Sequence, residues 1–316
     1  MVYKLSAYKE EVHCDWCPGC GDFGILAALQ NALTDLQIEP SNTVIVSGIG
    51  CSGKIPHYVK TYGIHTLHGR VLPFALGIKL ANPNLEVIAV GGDGDGLSIG
   101  VGHFVNAGRR NVDLTYIVHD NGVYALTKGQ ASPTLGRNLQ TKSLPAPNIN
   151  DPVNPIALAL VSGYTFIARS YAYDVKYTKE IIKRAILHRG TAFVDILQPC
   201  PTYNDIQSKE WYAGLDKPNK KSRIYKLDEH GYSGYVKSET DFAEKYMKVI
   251  EYSRWWGDNI PVGVFIEYDA QIYEARISLR IKDYLQNPPA LQKYYDENTG
   301  RVTVNIKPIL EKIYVT

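Results

Sequence analysis

Asp93 and Asp95 stand among glycines in VGGDGDGLSIGVG, residues Val90 to Gly102, and that mixture points to a phosphate held together with a cation. Glycines let a backbone close on phosphate oxygens, and a following helix N-terminus favours negative charge. Carboxylates beside a bare phosphate would repel it, so a divalent ion between them makes the pattern sensible. An all-oxygen donor set suits magnesium. A second polar turn, His119-Asp120-Asn121-Gly122-Val123-Tyr124, comes one helix and one strand later. Successive parallel strands end on the same sheet edge, which lets Asp93 and Asn121 converge on one ion. A glycine-rich turn with solvated aspartates is the plain alternative, and the pairing of the two turns weighs against it.

The cysteines form a second constellation. Cys14, Cys17 and Cys20 crowd into seven positions, while Cys51 and Cys200 are dispersed. In Cys17-Pro-Gly-Cys20 the Pro-Gly turn directs two sulfurs the same way. Cys51 lies in Gly48-Ile-Gly-Cys-Ser-Gly-Lys54 and Cys200 in Gln198-Pro-Cys-Pro201, each directly after a strand-like run. Clustered thiols in a reducing compartment suggest metal or redox work more than disulfides. Four thiolates suit a tetrahedral zinc or a [4Fe–4S] cluster. Spacing does not choose between those metals, nor does it exclude plain free cysteines.

The elements that must position these residues alternate. Helical periodicity covers Ile25 to Leu36, Val71 to Ala81 (stopped by Asn82-Pro83), His103 to Ala107 (closed by Gly108) and Val175 to His188. Apolar strand runs occupy Asn42–Ser47, Leu85–Val90, Leu114–Val118, Tyr164–Ala168 and Ala192–Leu197. Short apolar strands separated by helices predict an α/β fold with a mainly parallel sheet and helices on both faces. From about Thr202 the chain turns polar, rich in lysine and tyrosine, to Gly234. Two amphipathic stretches follow, Phe242–Trp256 and Gln271–Leu285.

The ordered set WCPGCG, GIGCSGK, HTLHGR, GGDGDG and NGVYALTKGQ, together with Cys200, resembles the β subunits of 2-oxoacid:ferredoxin oxidoreductases of the archaeal two-subunit type. The resemblance covers about residues 14–204. It implies a thiamine-diphosphate-binding fold with magnesium held by Asp93, Asn121 and the Val123 carbonyl. The usual Asn-Asn pair stands here as Asp120-Asn121, a departure that spares the ligand position. The resemblance also implies one [4Fe–4S] cluster on Cys17, Cys20, Cys51 and Cys200, with Cys14 left over and a swap between Cys14 and Cys17 open. Cys51, Ser52, Gly53 and Lys54 would lie against the cofactor, and the Lys54 ammonium would reach the substrate side. His68 would touch the diphosphate, as would Gly94, Asp95 and the Tyr124–Leu126 stretch, including Ala125. Lys54 and His68 carry the expected catalytic roles, and Lys128 would pair with a coenzyme A phosphate. The plain reading of each lysine is a solvated side chain, and a lone histidine such as His65 is more often structural.

The reaction so implied is oxidative decarboxylation of a 2-oxo acid to acyl-CoA and carbon dioxide, with electrons passing through the cluster to ferredoxin. Thiamine enzymes also need a glutamate from a pyrimidine-binding domain, and this chain has no second α/β unit to supply one. An obligate α subunit is therefore expected, in an αβ or (αβ)2 assembly, contributing most substrate and CoA contacts. Residues 1–202 are expected to be the cofactor- and cluster-binding domain, and 203–316 a C-terminal extension serving as lid or partner-docking segment. A non-oxidative thiamine enzyme, a zinc-stabilised regulatory subunit and a pure electron carrier each explain only one constellation. Among 316 residues 45% are hydrophobic and the net charge is +2, which fits a globular, soluble, cytoplasmic chain and gives no pull toward nucleic acid or membrane. The charged start lacks a signal-peptide stretch, and no apolar run approaches a membrane span.

Overall fold

Runs without alternating polarity become strands covered on both faces: Thr43–Ser47, Leu114–Asp120 and Thr191–Leu197 are buried at every position. The computed structural model describes residues 2–292, 296 and 298–301. Its elements begin with α1 (Asp22–Leu36), β1 (Thr43–Ser47), β2 (Tyr62–His65), α2 (Val71–Ala81), β3 (Glu86–Gly92), α3 (Val101–Arg110) and β4 (Leu114–Asp120). A two-stranded ribbon follows, β5 (Val123–Tyr124) with β6 (Gln130–Ala131), then α4 (Pro155–Ser162), β7 (Phe166–Tyr171), α5 (Val175–Leu187) and β8 (Thr191–Leu197). The chain continues through α6 (Lys209–Tyr212), β9 (Ile224–Lys226), α7 (Glu239–Ser253), β10 (Ile260–Glu267) and α8 (Tyr273–Ser278).

Eight strands make one sheet in the order β2-β1-β3-β4-β8-β7-β10-β9. All pairs are parallel except β10 against β7. One face carries α1 and α5, whose Ile25, Leu29, Ile181 and Ile182 meet Ile45, Ile88, Ile117 and Val194. The other carries α2, α3, α4 and α7 over Val46, Ala89, Tyr116, Phe193 and Phe265. The expected α/β class is present, with helices on both faces. Among the described residues no helix is long and apolar enough to cross a membrane.

Three local expectations change. Gly108 does not close its helix: α3 runs from Val101 to Arg110 and ends at Asn111, which has φ 55°. Gly108 serves packing instead, because a Cβ there would lie 2.5 Å from the Ser162 carbonyl oxygen. The amphipathic stretch 271–285 is helical in α8 only over Tyr273–Ser278. The chain beyond 202 also supplies β9 and β10, so the sheet continues across the expected 202/203 division. Positions 293–295, 297 and 302–316 of that segment lie outside the described residues.

Candidate functional site

β1 is flanked by β2 on one side and β3 on the other, and such a reversal opens a crevice beyond the strands' carboxyl ends. A pocket of about 390 Å³ lies there, walled by the turn after β1, the turn after β3 and the β4–β5 connection. Of the expected residues it brings together Cys51, Ser52, His68, Asp93, Gly94, Asp95, Asn121, Val123, Ala125 and Leu126. Glycine is required at two points. A Cβ on Gly94 would stand 2.2 Å from the Tyr124 ring, and one on Gly48 would stand 2.0 Å from Asp95 Oδ2.

The two aspartates do different things. Asp95, buried at the start of a π-helical turn (Asp95–Ile99), accepts at Oδ1 from the Gly69 amide (2.7 Å) and the Ile49 amide (3.0 Å). It thereby joins the turn after β1 to the turn before α2. His68 Nδ1 stands 3.1 Å from the same oxygen but is not aligned for a hydrogen bond, and Asp95 Oδ2 has no partner. Asp93 is 1% exposed, and its Oδ2 accepts from the hydroxyls of Ser132 and Thr134. Thr134 Oγ1 also lies 2.6 Å from Asp120 Oδ1. One hydroxyl proton cannot satisfy two carboxylates, so the pair favours a further proton or a cation. Burial pushes the Asp93 carboxyl up and the Asp120 carboxyl well above the usual range.

Asn121 is oriented by its neighbours. Its Nδ2 donates to Gln198 Oε1 (2.9 Å), and its Oδ1 accepts from the Val123 amide (3.0 Å). Carboxylate, side-chain amide and backbone carbonyl oxygens thus gather in one pocket, a hard donor set that fits magnesium. The orphaned buried atoms of the pocket, His68 Nδ1, Asp95 Oδ2 and His119 Nε2, are polar groups that a bound ligand would satisfy.

Behind the pocket lies a second cavity of about 180 Å³ lined by Cys17, Cys20, Cys51 and Cys200. All five cysteines are free, and Cys14 does not line this cavity. The Trp16 indole, 7% exposed, donates to the Cys51 carbonyl (2.9 Å) and fixes this wall. Burial pushes the Cys51 thiol up to about 12 and raises those of Cys20 and Cys200. Bare thiolates are disfavoured there, which a metal's positive charge would reverse. Among the described residues no three His, Cys, Asp or Glu side chains gather to hold a single ion. Cys51, Asn121, Ala125 and Leu126 belong to both cavities and form the wall between them.

Three expected residues stand elsewhere. Lys54 Nζ pairs with Asp15 Oδ2 at 2.8 Å beside the cysteine cavity. Gly53 is a packing glycine whose carbonyl accepts from Ser47 Oγ and lies 2.8 Å from His65 Nδ1. Lys128, exposed with φ 86°, sits at the tip of the β5–β6 ribbon and does not line the pocket.

Residues without an assigned role complete the site. His119 Nδ1 meets Asp22 Oδ1 at 2.6 Å with both side chains buried, so Asp22 in the cysteine wall holds a histidine of the cofactor pocket. Gln198 reaches both constellations. The one signal for them in the chain is adjacency, since His119 stands two before Asn121 and Gln198 two before Cys200.

Residues 48–196 match the family described as thiamine pyrophosphate enzyme, C-terminal TPP binding domain. Residues 200–280 match the family of C-terminal segments from the beta chains of pyruvate ferredoxin oxidoreductase. A 2-oxoacid:ferredoxin oxidoreductase subunit beta of Saccharolobus solfataricus is 58% identical over 306 residues, covering 96% of this chain and 97% of the relative. A 2-oxoacid:ferredoxin oxidoreductase 1, subunit beta, of Aeropyrum pernix is 54% identical over 91% of this chain and 89% of its own. Among solved structures, a 2-oxoglutarate:ferredoxin oxidoreductase from Magnetococcus marinus with 2-oxoglutarate, coenzyme A and succinyl-CoA bound superposes with a TM-score of 0.81. That match is at 34% identity and covers 99% of this chain and 97% of the other.

Proposed function

This chain belongs to the β subunits of the 2-oxoacid:ferredoxin oxidoreductases, and from that membership we propose that it carries thiamine diphosphate, magnesium and one [4Fe–4S] cluster for CoA-dependent oxidation of 2-oxo acids. The observation that carries this reading is the shared wall: Cys51, Asn121, Ala125 and Leu126 separate the cofactor pocket from the four-thiol cavity. Bound thiamine diphosphate would supply the nucleophile and electron sink for decarboxylation, and the cluster would accept electrons singly on their way to ferredoxin.

The chain's own residues then have definite tasks. Asp93, Asn121 and the Val123 carbonyl would hold the ion, while Gly94 leaves room for the Tyr124 ring on the pocket wall. Asp95 fixes the turns that carry Ile49 and His68 to the pocket rim. Ser52, Ala125 and Leu126 would bound the cofactor on the cluster side, and His68, which lines the pocket, would donate to the diphosphate. Cys17, Cys20, Cys51 and Cys200, which line one cavity, would each take one iron of the cluster. Lys54 would leave Asp15 to meet substrate charge, and Lys128 would meet a CoA phosphate from the ribbon tip. An α subunit would close the pocket and provide the activating carboxylate and most substrate contacts. Residues 203–316 would form a region that docks it.

The test is an anaerobic absorbance spectrum of the chain with its α partner, before and after pyruvate and CoA. A brown protein absorbing near ~400 nm and bleached by substrate is expected. Serine at Cys17, Cys20, Cys51 or Cys200 removes the colour, whereas Cys14→Ser keeps it. A colourless, zinc-containing protein sinks the redox reading.

A further inference from the structure

Gln198 is 1% exposed, and every hydrogen-bonding atom of its side chain is used. Oε1 accepts from Asn121 Nδ2 at 2.9 Å. Nε2 donates to Cys20 Sγ at 3.3 Å and to the Pro199 carbonyl at 2.8 Å. Its own backbone amide donates to the Asp120 carbonyl at 2.7 Å, holding the residue against the end of β4. Gly21 leaves space for it, since a Cβ there would stand 3.0 Å from Gln198 Cγ. One amide therefore touches an ion ligand with its oxygen and a cluster ligand with its nitrogen.

We propose that Gln198 is a positioning residue that couples the cluster to the magnesium–cofactor site. This rests on the cluster and cofactor proposed above. Two effects follow from the geometry. Taking Asn121 Nδ2 leaves Oδ1 turned away from Gln198, where one lone pair serves Val123 and the other is free for the ion. An N–H on the Cys20 sulfur favours the electron-rich cluster and so raises its reduction potential. Because both bonds belong to one conjugated amide, charge gained by the sulfur polarises it and strengthens the acceptor at Oε1.

The α-containing complex with Gln198→Glu and Gln198→Leu separates the two effects. At a pH high enough to ionise the new carboxyl, glutamate keeps the acceptor for Asn121 and loses the donor to sulfur; leucine loses both at any pH. EPR-monitored redox titration is expected to give a lower midpoint potential for both variants. Calorimetry with thiamine diphosphate and Mg²⁺ is expected to give near-parental affinity for Gln198→Glu and about a tenfold loss or more for Gln198→Leu. Unchanged potentials, or unchanged affinity in Gln198→Leu, would overturn the coupling. If neither variant assembles, the parental complex still decides it. With glutamine side chains labelled with ¹⁵N, its reduced cluster must show a hyperfine coupling to that nitrogen, and absence of the coupling refutes the N–H···S bond. A parental complex without a cluster signal or without Mg²⁺-dependent cofactor binding instead refutes the reading on which the coupling rests.

Discussion

A carboxylate as buried as Asp93 needs nearby positive charge or a proton, and the structure offers it only the hydroxyls of Ser132 and Thr134 among its side-chain partners. Asp93→Asn keeps the shape and removes the charge. Thiamine diphosphate affinity in the presence of Mg²⁺ is expected to fall about 100-fold or more, close to ~3 kcal/mol. The same variant without Mg²⁺ is expected to melt no lower than the parent, because an uncompensated buried carboxylate has been removed. Calorimetry and thermal unfolding check the two halves, and a loss of metal-free stability would show that Asp93 is mainly structural. At this scale the sequence is partly legible. Asp93 and Asn121 stand out because polar residues in short turns after apolar runs are conspicuous. The roles of Asp22, His119 and Gln198 do not, because their bonds join positions 97, 77 and 178 residues apart.

Strands report on themselves when they are fully buried, and β1, β3, β4 and β8 are readable to within a few residues. β10 is not, because Pro261 and Gly263 interrupt its apolar run and both are unfavourable inside a strand. Its partner is β7, which pairs with it antiparallel through a register shift between Val264 and Ile266. The start of β3 gives a pH prediction. Burial at the strand's start pushes the Glu86 carboxyl up to about 7. The folded value lies above the unfolded one, so ionisation opposes folding. Stability from this group is present below the unfolded value near ~4.5 and is lost as pH rises through about 7. Glu86→Gln is expected to raise stability at pH 8 by about 1–2 kcal/mol, discounted for partial exposure, and to change it little at pH 4.5. Denaturant midpoints at the two pH values measure this, and an equal effect at both would exclude ionisation as the cause.

Among the described residues β2 is an edge strand exposed along its length, and Tyr62, Leu67, Phe74, Ile99 and Val105 are exposed apolar side chains of the same N-terminal half. Leu67 and Ile99 belong together, since the turn at Gly69 lies against Ile99. His68, next to Leu67, lines the cofactor pocket. Apolar surface flanking the cofactor pocket is where the proposed α subunit would close it. Leu67→Asp combined with Ile99→Asp is expected to weaken αβ association at least tenfold while the chain keeps its circular dichroism spectrum and unfolding midpoint. Sedimentation of the mixed subunits reads the association, and unchanged assembly would move the interface elsewhere.

The sequence by itself determined the class of fold and singled out the residues of both constellations. Apolar periodicity, glycine turns and thiol spacing are local properties, written within a few residues of each other. Cys14 and Cys17 remained interchangeable on spacing, because both stand in a CxxC arrangement. Only the tertiary structure put Cys17 on the four-thiol cavity with Cys14 outside it, turned Lys54 onto Asp15, and set the two cavities back to back. Those outcomes depend on which strand ends meet across a parallel sheet, and on side chains such as Gln198 whose partners come from distant segments. Such contacts leave no local pattern along the chain, so they emerge only when the sheet order is fixed.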